Sequence, residues 1–115
     1  MTNSFDTNTI LCLYTTLPDE QSAKNLAQKL LHHQAVACVT FHQTSSMYAW
    51  IGEIEVSQEW IVMCKTSSEH ETIARTLIAQ DHPYKIPCIL SWPVQSSPQY
   101  AQWVNDSTLL PETDR

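Results

Sequence analysis

Glycine is nearly absent: Gly52 is the single one in 115 residues. A loop that cradles phosphate needs several glycines, so that the backbone can approach the anion. Neither the dinucleotide fingerprint nor the P-loop can therefore form. Basic residues are also few. Six Lys and Arg stand against twelve Asp and Glu, for a formal net charge of −6. Nucleic-acid binding rests on a basic stripe against phosphates, and this chain has none. No apolar run approaches the roughly 20 residues that a helical membrane span requires. Residues 1–9 lack the basic start and apolar stretch of a secretory leader. The H-E-x-x-H, G-x-S-x-G and C-x-x-C signatures are missing as well. These absences predict a soluble, cytoplasmic protein that binds neither nucleic acid nor membrane.

What is present points to one domain. Hydrophobic residues make up 43% of the chain. At this length about two-thirds of the unfolded surface is buried on folding, enough for a core without disulfides or a structural metal. Cys12, Cys38, Cys64 and Cys88 lie far apart, unlike the short pairs of zinc sites. Each sits in an apolar, strand-like segment (ILCLY, AVACVTF, IVMCKT, PCIL) and reads as a small buried thiol.

Residues 10–16 (ILCLYTT) form an apolar run, consistent with a strand covered on both faces. Pro18, followed by Asp19 and Glu20, predicts a helix start. Ala23, Leu26, Ala27, Leu30 and Leu31 then give an amphipathic stripe ending near His33. Residues 35–42 (AVACVTFH) predict a second strand. Residues 47–66 read as one long extended segment. From Glu53 it places Ile54, Val56, Trp60, Val62 and Cys64 on one face, and Glu53, Glu55, Ser57, Glu59 and Lys65 on the other. A strand that long is an edge hazard and calls for a partner chain. Ser68 with Glu71 fits a capping box, and Ile73, Ala74, Leu77 and Ile78 continue it as a helix that Pro83 ends. Residues 88–94 (CILSWPV) predict a strand in which Pro93 marks a sheet edge. Ser97-Pro98 opens a last helix, with Tyr100, Trp103 and Val104 toward the core. The order β-α-β-β-α-β plus a terminal helix predicts an α+β, ferredoxin-like antiparallel sheet with helices on one face.

The chain resembles the CutA family of divalent-cation tolerance proteins. The matching stretches are T-L-P-D-E at 16–20, A-V-A-C-V at 35–39 and S-M-Y-A-W-I-G-E-I-E at 46–55. They continue with Lys65-Thr66, H-P-Y-K-I-P at 82–87 and Y-A-Q-W-V at 100–104. The resemblance implies a CutA-like domain over 10–107, with flexible tails at 1–9 and 108–115. It also implies a homotrimer in which a hairpin of the second and third strands reaches neighbouring subunits. It further implies copper or another divalent cation as ligand, cytoplasmic location, and no known reaction. A trimeric signalling or scaffold protein similar in architecture to the PII type is the alternative. One glycine and six basic residues speak against nucleotide as its effector.

In copper-binding members a cysteine near the end of the first strand is implicated with two histidines before Pro-Tyr. Carried over, those positions are Thr15, Asp81 and His82. Cys12 lies an odd number of residues from Thr15 and so faces the other side of the sheet. Asp, His and a threonine hydroxyl make a harder, weaker donor set than Cys and His, which lowers the expected copper preference. The plainer role for His82 is to cap the end of the second helix. Matching family positions also outline a ligand pocket of Cys38, Tyr48, Trp50, Glu59, Lys65 and Tyr84, between subunits. The plainer reading of that set is interface packing with a Glu59–Lys65 ion pair.

Overall fold

The computed structural model describes residues 8–108. Strand β1 (Thr9–Leu17) lies in the middle of a four-stranded sheet, with β3 (Glu53–Thr66) on one side and β4 (Ile89–Gln95) on the other. Strand β2 (Cys38–Trp50) pairs with the outer side of β3, giving the order β2-β3-β1-β4 with every pairing antiparallel. β1 is buried on both faces, as its unbroken apolar run predicts. Pro93 falls in β4, an edge strand, where a missing N–H costs no ladder bond on the outer side.

Side-chain alternation sorts the sheet into two faces. Leu11, Leu13, Leu17, Val62 and Cys64 turn toward helices α1 (Glu20–His32) and α2 (Glu71–Gln80), which supply Ala23, Leu30, Ala74, Leu77 and Ile78 to the main core. Ile10 faces the opposite way and, with Ala37, packs under Ala101 and Val104 of helix α3 (Pro98–Ser107). The terminal helix thus covers one end of the second face, and the rest of that face stays open. β1 begins at Thr9, and Thr108, fully buried, closes α3 by donating its hydroxyl to the Val104 carbonyl at 2.9 Å. Residues 1–7 and 109–115 of the two expected tails lie outside the described residues.

Several expectations change. The single extended segment at 47–66 is a hairpin: β2 runs to Trp50, Ile51 and Gly52 turn, and β3 starts at Glu53. Both turn residues have positive φ, 50° and 78°, as a two-residue turn between twisted strands requires. The first helix starts two residues later than the proline implies. Asp19 is its N-cap, and its carboxylate accepts the Ser22 N–H at 2.7 Å. The Ser68–Glu71 capping box does not form, because Ser68–His70 make a 3-10 turn and α2 starts at Glu71 without a side-chain cap. Leu31 and Trp103 lie on the solvent side of their helices, 45% and 48% exposed, not in the core.

The hairpin carries the molecule beyond a sphere. Its radius of gyration is 15.5 Å, against about 13 Å for a compact chain of this length. Past the reach of α1 and α2, the helix-side row of the hairpin is bare: Met47, Ile54 and Val56 are 72%, 74% and 59% exposed.

Candidate functional site

The segment between α2 and β4 joins the two layers of the fold. His82 sits at its start, beside the end of β1. The Tyr84 N–H donates to His82 Nδ1 at 3.2 Å, which fixes that nitrogen as the unprotonated acceptor. The ring proton is therefore on Nε2, 3.1 Å from the Thr15 hydroxyl oxygen. Burial lowers the His82 pKa from its usual 6.5, and the Thr16 carbonyl and the charge of Glu59 offset this only in part. The imidazole is thus a neutral strut between β1 and the loop, not a cap on α2. That capping role belongs to Lys29, which the sequence did not single out. Its ammonium donates to the Leu77 carbonyl at 3.1 Å and to the Asp81 carboxylate at 2.8 Å.

These bonds decide how Thr15, Asp81 and His82 relate to a metal. Thr15 and His82 are brought together, but each ring nitrogen already has a partner and the Thr15 hydroxyl is fully buried. Asp81 is drawn to Lys29. Among the described residues no group of three or more His, Cys, Asp or Glu is placed to hold a metal ion. As they stand, the three residues do not fit a divalent cation. Cys12 offers no rescue. It lies on the opposite face from Thr15, in one row with Lys65 and Cys38, and burial raises its thiol pKa.

Two residues further on, Tyr84 reaches the open face. Its hydroxyl donates to Glu59 Oε2 at 2.8 Å. Glu59 is the one buried carboxylate among the described residues, 8% exposed. Burial alone pushes its pKa up. The nearby hydroxyls of Ser46, Tyr84 and Thr16 outweigh that and hold it below the usual value. Burial, and donation to Glu59, push Tyr84 the other way, so it stays a phenol. Glu59 is thus ionised at neutral pH and held in place by Tyr84.

Around this carboxylate lies a cleft of about 840 Å³ on the open face. Tyr14, Tyr48, Trp50 and Tyr84 are its aromatic lining, with Glu55 on the hairpin and Lys85 on the loop. Of the residues expected in one pocket, Tyr48, Trp50, Glu59 and Tyr84 do meet here. Cys38 and Lys65 do not. They are paired at the far end of the same face, where Cys38 meets Tyr100 of α3. Lys65 is six residues along β3 from Glu59, roughly 20 Å at strand rise, so the two cannot form an ion pair. Tyr14, Thr16 and Ser46 belong to the site and were missed. Strand parity was the available signal, since Tyr14 and Thr16 share the Cys12 face and Ser46 the Tyr48 face.

The geometry can be set beside known proteins. The CutA1 divalent ion tolerance protein family matches over residues 11–107. The divalent-cation tolerance protein CutA of Yersinia pestis (strain Pestoides F) is 38% identical over 102 residues, 87% of this chain and 83% of that protein. The crystal structure of the divalent ion tolerance protein CutA1 from Ehrlichia chaffeensis superposes with a TM-score of 0.84 at 33% identity, covering 88% of this chain and 96% of that one. The periplasmic divalent cation tolerance protein CutA from Archaeoglobus fulgidus gives 0.84 at 28% identity, covering 87% and 99%. Sheet order, terminal helix and loop motif agree with that likeness over nearly the whole chain: this protein belongs to the CutA1 divalent ion tolerance protein family.

Proposed function

We propose that this chain acts as a homotrimeric divalent-cation tolerance protein, which binds a small ligand or metal ion where copies meet and catalyses no reaction. The observation that carries the reading is the hairpin. Its bare apolar row of Met47, Ile54 and Val56 needs cover. Its other face holds the Tyr48 and Trp50 wall of the cleft around Glu59. A sister copy packed along the arm would bury the first and close the second. Every cysteine is free, which fits a reducing cytoplasm; the Archaeoglobus relative is described as periplasmic. Copper or another divalent cation is the metal class that family membership calls for. Thr15, Asp81 and His82 would have to exchange their present hydrogen bonds to hold one.

Native mass spectrometry of protein purified without chelator tests the reading, because it reports subunit number and retained metal together. A three-subunit species is expected. A well-folded monomer at micromolar concentration would remove both the assembly and the shared cleft.

A further inference from the structure

The cleft has a chemistry of its own. Three of the chain's four tyrosines line it, Tyr14, Tyr48 and Tyr84, together with Trp50. The floor is the buried Glu59 carboxylate. Glu55 and the single basic residue on the lining, Lys85, are both exposed, where water screens their charges, so the buried Glu59 sets the sign of the cleft. Aromatic faces attract cations through the ring quadrupole, more strongly once the cation is desolvated. A buried carboxylate at the base of such a box selects the same sign of charge.

Counting acceptor sites narrows the class. An ionised carboxylate only accepts, with about four lone-pair sites. The Tyr84 hydroxyl donates to Glu59 Oε2 at 2.8 Å, and the Ser46 and Thr16 hydroxyls lie near enough to help hold the carboxylate ionised. Acceptor capacity therefore remains on Glu59 for an N–H donor that enters from the cleft. From this buried acceptor, and from the aromatic wall, we infer that the cleft takes a small protonated amine, with an N–H directed at Glu59 and its apolar substituents lying against Tyr48, Trp50 and Tyr84. The inference rests on the inter-subunit cleft proposed above and names what that cleft recognises. It sets the cleft apart from the Thr15–His82 side of the fold, where no aromatic box or free acceptor is built.

The test uses the full chain at neutral pH with three soluble probes of similar shape: dimethylbenzylammonium, the uncharged N,N-dimethylbenzamide, and the anion phenylacetate. Calorimetry gives affinity, tryptophan fluorescence reports on Trp50, and light scattering of the same samples gives subunit number. The ammonium is expected to bind about tenfold more tightly than the amide, with phenylacetate weakest. Benzyltrimethylammonium, which lacks the N–H, should fall between ammonium and amide. Glu59→Gln should erase the preference for charge. Trp50→Leu, at a half-exposed position that the core does not need, should weaken the ammonium more than the amide or phenylacetate and decides the matter if Glu59→Gln misfolds. A trimer that binds the amide or phenylacetate as well as the ammonium, or that binds none of them, overturns the amine assignment and leaves the assembly standing. A monomer overturns the reading beneath it.

Discussion

His82 is held by bonds that only its neutral form can make. A proton on Nδ1 would face the Tyr84 N–H that this nitrogen now accepts. Burial lowers its folded pKa below 6.5, with Thr16 and Glu59 opposing. The unfolded chain therefore takes up the proton first. The stability this gives is complete above 6.5 and is lost as pH falls through the folded value. Glu59 works in the same direction further down: its depressed pKa gives stability that is present above 4.5 and lost as pH falls through the folded value. His82→Asn keeps an acceptor for Tyr84 and removes the titration. Urea unfolding at a series of pH values and fixed protein concentration should lose the upper part of its acid limb in this variant; an unchanged slope would show that another group sets it. The neighbouring pair offers a contrast. Asp81 is 83% exposed in its ion pair, so Asp81→Ala should cost under about 0.5 kcal/mol. Lys29→Ala also uncaps the Leu77 carbonyl and should cost about 1 kcal/mol. Equal effects on thermal unfolding would refute that division. The sequence placed Thr15 with His82 only through family likeness, and it gave no hint that Asp81 is claimed by Lys29, because α1 and α2 meet only in the folded state.

At the scale of elements, the hairpin turn holds the sharpest local conflict. Ile51 is β-branched, yet it sits at φ 50° beside Gly52 at 78°, a position that favours Asn, Asp or Gly. A Cβ on Gly52 would meet nothing within 4 Å, so the cost of Gly52→Ala is purely conformational, about 1 kcal/mol. Ile51→Asn should gain about as much by relieving the same strain. Denaturant midpoints at one protein concentration should therefore move in opposite directions, and a loss in both would mean that Ile51 contributes through contact. This conflict also explains why residues 47–66 read as one strand. Apolar residues continue through Trp50 and Ile51, and only a lone glycine marks the turn. The elements with agreeing signals were legible: the buried run of β1, the stripe of α1, and the edge position of Pro93. The start of α2 was not, since Ser67 bonds to His70 at 2.5 Å and the chain takes a 3-10 turn where a capping box was expected.

At the scale of the whole molecule, the two faces of the hairpin set a common constraint. The outer row of Met47, Ile54 and Val56 is largely bare. Burying it would stabilise an assembly by roughly 1.5–3 kcal/mol for each side chain fully covered. Sequence alternation made this row legible as apolar, and strand length made it call for a partner. The cleft behind it was legible only in part. Tyr48, Trp50 and Glu59 lie on adjoining strands, whereas Tyr84 arrives from a loop whose path depends on the His82 strut. Cys38 and Lys65 were drawn into the same set because family positions carry no distance along a strand. An apolar row that serves assembly and not the subunit's own core has a distinct mutational signature. Val56→Asp puts a charge on the arm, paired with Met47 in the ladder, far from Leu13 and Val62 in the core. Light scattering should then find smaller species at concentrations where the parent stays assembled, while far-ultraviolet circular dichroism keeps the folded spectrum. Loss of that spectrum together with assembly would mean that no subunit stands alone, and Leu31→Asp on the exposed side of α1 is the control that should change neither.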